Sequence, residues 1–136
     1  MIRLIATYSA TAAAIAALDF VWLSQFGPKL YRPTLDSVLR PENDPVNFPA
    51  AIVFYFVYIA GVLALAIWPT RDKPLIKTAA TGGMLGALCY ATYDLTNQAT
   101  LKVWATHITL IDITWGTFLT AVGATVGGWV VRRMKA

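Results

Sequence analysis

Tyr90-Ala91-Thr92-Tyr93-Asp94-Leu95-Thr96-Asn97-Gln98-Ala99-Thr100-Leu101-Lys102-Val103-Trp104 is the stretch whose reading decides the fold. It closes an apolar run with an acid, Asp94, and an amide, Asn97. A short polar bend follows, and then a second apolar run that carries another acid, Asp112. Far upstream, the first apolar run also carries an acid near its end, Asp19. Acids inside long apolar runs are expensive unless they face a protein interior or a watery cavity. The stretch therefore predicts membrane helices around a polar site.

Composition agrees. Of 136 residues, 57% are hydrophobic and 13% charged, about half the charged share of an ordinary soluble domain. A lipid-facing surface needs no polar coat. The length suits one domain, residues 1–136. The net charge is +4, but the basic residues flank apolar runs, which fits membrane orientation and not nucleic-acid binding. The single cysteine, Cys89, has no partner for an internal disulfide and reads as a packing residue.

Four segments have the roughly 20 residues needed to cross about 30 Å of hydrocarbon. They cover about residues 4–23, 49–68, 76–96 and 107–131. Met1-Ile2-Arg3 and the Ala-rich run after it imitate a signal peptide, with Ala14-Ile15-Ala16 as an apparent cleavage site. The run is read as the first membrane helix. Arg3, Arg71, Lys73, Lys77, Arg132, Arg133 and Lys135 lie on one side, and Lys29, Arg32, Arg40 and Lys102 on the other. Seven against four predicts that both termini are cytoplasmic. Pro28, Pro33, Pro41 and Pro45 forbid a long helix in the outer connection, residues 27–48. Tyr31, Leu35 and Val38 recur at helical spacing, and Asp36 and Arg40 can pair at i,i+4. Either a short amphipathic helix lies on the membrane surface here, or a loop is pinned by Tyr31 and Leu35. The fold expected is all-α, an integral membrane four-helix bundle with a short interfacial helix in its first outer loop.

At a rise of 1.5 Å per residue, Asp19, Asp94 and Asp112 each sit about 24–30 Å from the cytoplasmic charges. They form one layer. Asp112 is early in its helix, where the dipole favours an acid, so a helix-start role competes with a site role. Asp19 and Asp94 lie near helix C-termini, where the dipole opposes them. For these two the competing reading is an ion pair with Lys29, Arg32, Arg40 or Lys102. Tyr90, Asp94 and Asn97 share a helical face. Trp22 follows Asp19 by three residues, Trp115 follows Asp112 by three, and Tyr55 and Tyr58 reach the same layer. These nine residues form the candidate ligand site. Trp68, Trp104 and Trp129 read as interfacial anchors. Gly82-x-x-x-Gly86 and Gly123-x-x-x-Gly127 lie at matched depth on the last two helices and predict a close crossing there. Bulkier residues above predict an outward splay that opens a cavity on the acid layer.

Asp94, Asp112 and His107 are residue types that bind a divalent metal, but no pair within a helix has i,i+3 or i,i+4 spacing, so His107 reads as a surface histidine and no metal or cofactor is expected. No hydrolase elbow, phosphate loop or zinc motif is present.

Asp19-Phe20-Val21-Trp22-Leu23, Phe54-Tyr55, the Tyr90–Asn97 run, Ala99-Thr100-Leu101-Lys102 and Asp112-Ile113-Thr114-Trp115-Gly116-Thr117 together resemble a bacterial family of predicted integral membrane proteins of unknown function. The hallmarks are Y-D-L-T-N-x-A-T-L-[KR] and then D-x-x-W-G-T, and the resemblance covers nearly the whole chain. Members often carry Gly-Trp-Pro after the basic residue. Here Val103-Trp104-Ala105 stands instead, which implies a more helical bend. The resemblance implies a four-helix bundle in the bacterial cytoplasmic membrane and brings no activity with it.

Three functions fit these residues. The first is binding of a small cationic or amphipathic ligand or a lipid head group in an outer cavity, with transport as its extension. The second is a membrane enzyme with one Asp as general base on a lipid-like substrate. The third is a non-catalytic subunit or assembly factor of a membrane complex. Expected partners are membrane lipids, such a ligand, and a second copy or a membrane-complex subunit, with no nucleic acid.

The topology is open to a direct check. In a Cys89→Ala background, Arg40→Cys should react with an impermeant thiol reagent from outside, and Arg71→Cys only after the membrane is breached. Reversed labelling would invert the topology. Changing both Lys73 and Lys77 to Glu should weaken the orientation.

Overall fold

The computed structural model describes residues 1–44 and 46–134. Pro45 and Lys135, used above in reading the outer loop and the charge balance, lie outside the described residues. Helix α1 spans Ile2–Gln25. Two four-residue helices follow, α2 over Gly27–Leu30 and α3 over Arg32–Leu35. Helix α4 covers Phe48–Val62 and runs on through a π-helical turn, Leu63–Ile67, into a 3-10 turn, Trp68–Thr70. Helix α5 covers Leu75–Thr100 and α6 covers Thr106–Arg133.

The local causes are readable. Asn47 caps α4 by accepting from the Ala50 amide at 3.2 Å, and proline occupies its first turn. The same span ends at Trp68-Pro69. Pro69 has no N–H to give back to the preceding turn, and the helix widens into the π turn just before it. Threonine hydroxyls along the helices donate to the carbonyl four residues back, as Thr7 does to Arg3 (2.7 Å), Thr11 to Thr7 (2.8 Å) and Thr120 to Gly116 (2.7 Å). These three buried threonines are thereby satisfied within their own helix.

Among the described residues three helical stretches are long and apolar enough to cross a membrane: Ile2–Gln25, Phe48–Thr70 and Thr106–Arg133. Helix α5 has 26 residues but a more polar content. Its polar and small residues, Thr78, Gly82, Gly83, Gly86 and Asp94, are the buried ones.

They lie against α6 in a regular antiparallel seam. Thr78 faces Gly128, Gly82 faces Ala124, and Gly86 faces Thr120 and the Gly116 carbonyl. Tyr90 faces Gly116, and Asp94 meets Asp112. Every fourth residue of one helix meets every fourth residue of the other. Gly123 and Gly127 were expected in this crossing. They lie instead on another face of α6, against Ile15 and Thr11 of α1 and against Ile67. The predicted outward splay of α5 from α6 is also absent. Gly116 leaves room for the Tyr90 ring, and beyond it Gln98 still reaches α6, where its Oε1 accepts from the Thr109 hydroxyl at 2.8 Å.

Helix α6 therefore sits between α5 and α1. The apolar core joins Ile15, Ile59, Val62, Leu63, Ile67, Leu119 and Val131 from α1, the second span and α6. One end is basic. Arg132 donates to the carbonyls of Thr70 (2.8 Å) and Lys73 (2.6 Å) and to the Thr78 hydroxyl (2.8 Å). Arg3 donates to the Val131 carbonyl at 2.9 Å. Trp68 lies between the guanidinium groups of Arg3 and Arg71, 5.7 and 5.0 Å from its ring centre.

Gly86→Ala and Gly61→Ala separate packing from helix propensity. Both glycines are mid-helix, but a methyl at Gly61 meets nothing within 4 Å, while at Gly86 it runs into the Gly116 carbonyl and Thr120. Gly61→Ala should gain up to about 1 kcal/mol. Gly86→Ala should lose about 1–3 kcal/mol, and Gly86→Leu more. Thermal melting in detergent reads the difference. Equal melting of the two alanine variants would refute the close seam.

Candidate functional site

The three acids lie toward the end of the molecule opposite Arg3, Arg71 and Arg132, and all are buried. Asp94 is fully buried, and Asp19 and Asp112 are each 7% exposed. Among the described residues none of them is joined to a lysine or arginine. The ion pairs run instead within the connection between α1 and α4 and in the turn before α5: Arg32 with Asp36 and Glu42, Arg40 with Asp44, and Arg71 with Asp72. The expected ion pair for Asp19 or Asp94 is thus not what holds them.

Phenols and indoles take that place. Asp19 accepts hydrogen bonds from the Tyr55 hydroxyl and, at 3.4 Å, from the Trp115 indole. Asp112 accepts from the Tyr31 hydroxyl at 2.6 Å, and Tyr31 in turn accepts from the Trp22 indole at 3.0 Å. Trp22 and Trp115 stack 4.4 Å apart and nearly parallel, at 10°. The stack joins the Asp19 and Asp112 branches into one network. Asp112 lies in the second turn of α6, not the first, so it does not cap the helix. Burial, reinforced by the bond to Asp112, pushes the Tyr31 phenol above its ordinary pKa of 10.0. Tyr31 therefore stays a donor at any physiological pH.

Asp94 is different. Neither of its oxygens receives a hydrogen bond. Its neighbour is the Asp112 carboxyl, within hydrogen-bonding reach. Two carboxylates so placed repel each other, and a proton or a cation shared by them removes that repulsion.

A cavity of about 260 Å³ opens in front of the pair. Of the candidate residues, Asp19, Trp22, Tyr90, Asp112 and Trp115 line it. Asp94 lies behind Asp112 and does not reach the surface of the cavity. Tyr55 stands outside and acts through Asp19. Tyr58 points elsewhere, sharing a 2.6 Å hydrogen bond with Thr120, and Asn97 does not line the cavity.

Several walls come from residues read differently in the sequence. Tyr31, Leu35 and Leu39 fold in from the outer connection, and Leu35 is only 3% exposed. A pinned loop with two short helices describes this segment better than one amphipathic helix with an outward apolar face. Trp104, read as an interfacial anchor, is a wall. Its indole donates to Thr109 at 3.0 Å, and Tyr93 meets it edge-on at 5.7 Å. The sequence held one usable signal for Trp104, its position five residues before Thr109 across a short bend. Nothing local linked Tyr31 to Asp112, 81 residues away. Among the described residues no cluster of His, Cys, Asp and Glu could hold a metal.

No curated protein and no solved structure matches the chain. The family described as "Predicted membrane protein (DUF2177)" matches residues 4–129, nearly the full length, and the chain belongs to that family.

Asp94→Asn should melt at or above the wild-type temperature. The new amide donates to Asp112, and the change removes a buried charge that has no partner, a gain of about 1 kcal/mol or more. Scanning fluorimetry in detergent measures this. A loss of several degrees would mean that Asp94 has a cationic partner in the protein.

Proposed function

We propose, with membership of this membrane-protein family as the starting point, that the chain crosses the membrane four times and binds a small cationic group in the acid cavity. For α5 as the fourth span, the support is its length and the placing of its polar residues. Its 26 residues reach roughly 39 Å, more than the ~30 Å of a hydrocarbon core. Part of its low hydropathy comes from residues shielded against α6, namely Thr78, the glycines and Asp94. The arginine-rich end is taken as the cytoplasmic face of a bacterial inner membrane, which turns the cavity outward.

One observation carries the ligand reading. Among the described residues the three buried acids have no cationic partner, and Asp94 accepts no hydrogen bond. Acids kept in an apolar medium without a counter-charge mark an ion or substrate path more often than a scaffold. The walls fit the same ligand. Trp22, Tyr31, Tyr90, Trp104 and Trp115 stand around the carboxyls, and aromatic rings near a carboxyl favour an ammonium group through cation–π contact. The volume suits a head-group-sized molecule.

The test uses the tryptophans already in the walls. Choline and tetramethylammonium should change the intrinsic fluorescence of the purified protein saturably, and calorimetry should give the same affinity. Asp112→Asn should weaken binding at least tenfold while melting normally. The uncharged choline isostere 3,3-dimethylbutanol should not compete. If it binds as well as choline, the cationic reading fails.

A further inference from the structure

The acid cavity shares two walls, Tyr90 and Tyr93, with a second hollow of about 360 Å³ on the flank of the protein. Phe54 and Tyr58 of α4 and Cys89 of α5 complete that hollow, and its surface is almost wholly apolar. Its origin is in how the second span packs. Helix α5 packs against the π-helical and 3-10 turns at the basic end and leaves α4 standing off. Helix α4 is held to α1 and α6 instead, by Tyr8 donating to the Phe56 carbonyl (3.1 Å), by Tyr55 on Asp19, and by Tyr58 with Thr120. A cleft therefore runs between α4 and α5 toward the acid end.

The opposite flank differs. A groove between α1 and α6 also borders the cavity, through Trp22 and Trp115. Those two rings are stacked, and each indole N–H is engaged, so that wall is closed. On the α4–α5 side, the Tyr90 and Tyr93 hydroxyls make no hydrogen bond among the described residues. Tyr93 is 61% exposed. Tyr90 is seated on Gly116, whereas Tyr93 is free to swing on side-chain rotation alone.

We propose that the α4–α5 cleft is the tail subsite of the cavity, so that the ligand is a single-chain amphiphile with a cationic head. The head sits among the carboxyls, and the hydrocarbon chain lies in the cleft, reached sideways from the lipid. This rests on the cationic reading of the cavity. Charge complementarity selects the occupant. A neutral lipid chain or an apolar helix of a second copy fills the cleft but leaves the acids at its inner end unmatched.

Cys89, the one cysteine of the chain, lies in the cleft and reports on it. The full-length protein in uncharged detergent is treated with N-ethylmaleimide, with added decyltrimethylammonium below its micellar concentration, tetramethylammonium, or decanol. Decyltrimethylammonium should bind at least tenfold tighter than tetramethylammonium and slow Cys89 alkylation at least tenfold. Tetramethylammonium should change the tryptophan fluorescence without slowing alkylation, and decanol should do neither. Phe54→Trp, which narrows the cleft, should erase the advantage of the long chain and keep tetramethylammonium binding. If tetramethylammonium binds but the decyl compound binds no tighter and leaves Cys89 reactive, the tail subsite is overturned and the cationic site stands. If decanol protects equally, the cleft is a general lipid groove and the proposal is overturned. If neither cation binds, the cationic reading and this one fall together.

Discussion

The close approach of α5 to α6 is the constraint on which the rest depends. Residues 78, 82, 86, 90 and 94 run down one side of the seam, against 128, 124, 120, 116 and 112 on the other. At the basic end the residues are small, and backbones touch through glycine. Farther along, one glycine, Gly116, offsets one large ring, Tyr90, so the helices need not part. That compensation brings Asp94 against Asp112. The two sequence motifs, Tyr90–Lys102 and Asp112–Thr117, are thus two sides of a single contact. A steric rule at the glycines sets the electrostatics at the acids.

The acids impose the opposite demand. A seam of glycine and alanine is stable in lipid, whereas a buried carboxyl is not unless something donates to it. The protein meets this with phenols and indoles and not with cations. Tyr31, Tyr55 and Trp115 satisfy Asp19 and Asp112 without bringing in charge. Lysine or arginine at those places would have closed the site with an internal ion pair. Neutral donors leave the negative charge uncompensated among the described residues. The outer connection has its role here, since Tyr31 and Leu35 are folded inward to complete the wall.

The legible part of the molecule was the part set by composition and short-range spacing. Apolar runs beginning near Leu4, Pro49, Ile76 and His107 are all helices, because helix length and apolarity are local properties. Cavity membership was legible for Asp19, Trp22, Tyr90, Asp112 and Trp115, because depth along a helix follows from counting residues. Rotation about a helix axis was not. Gly123 and Gly127 share the depth of Gly82 and Gly86 but face α1, and no residue count separates those faces. Tyr31 was hidden for a related reason. Its side chain crosses a proline-rich connection to reach Asp112, and such turns carry no period. Trp104 was read by the statistics of its residue type, and its neighbours Thr109 and Tyr93 decided otherwise.

The placing of α6 between α5 and α1 bears on how the chain is assembled. Synthesis runs from the N-terminus, so α1 is made first and its main packing surface on α6 is made last. Arg3 waits for the carbonyl of Val131, 128 residues later. The inner turn waits for Arg132 in the same way. Until α6 emerges, the glycine stripe of α5 and Asp94 have no helix to cover them. The last helix is therefore the keystone, and a chain that stops short of it leaves the first and third long helices without their partner.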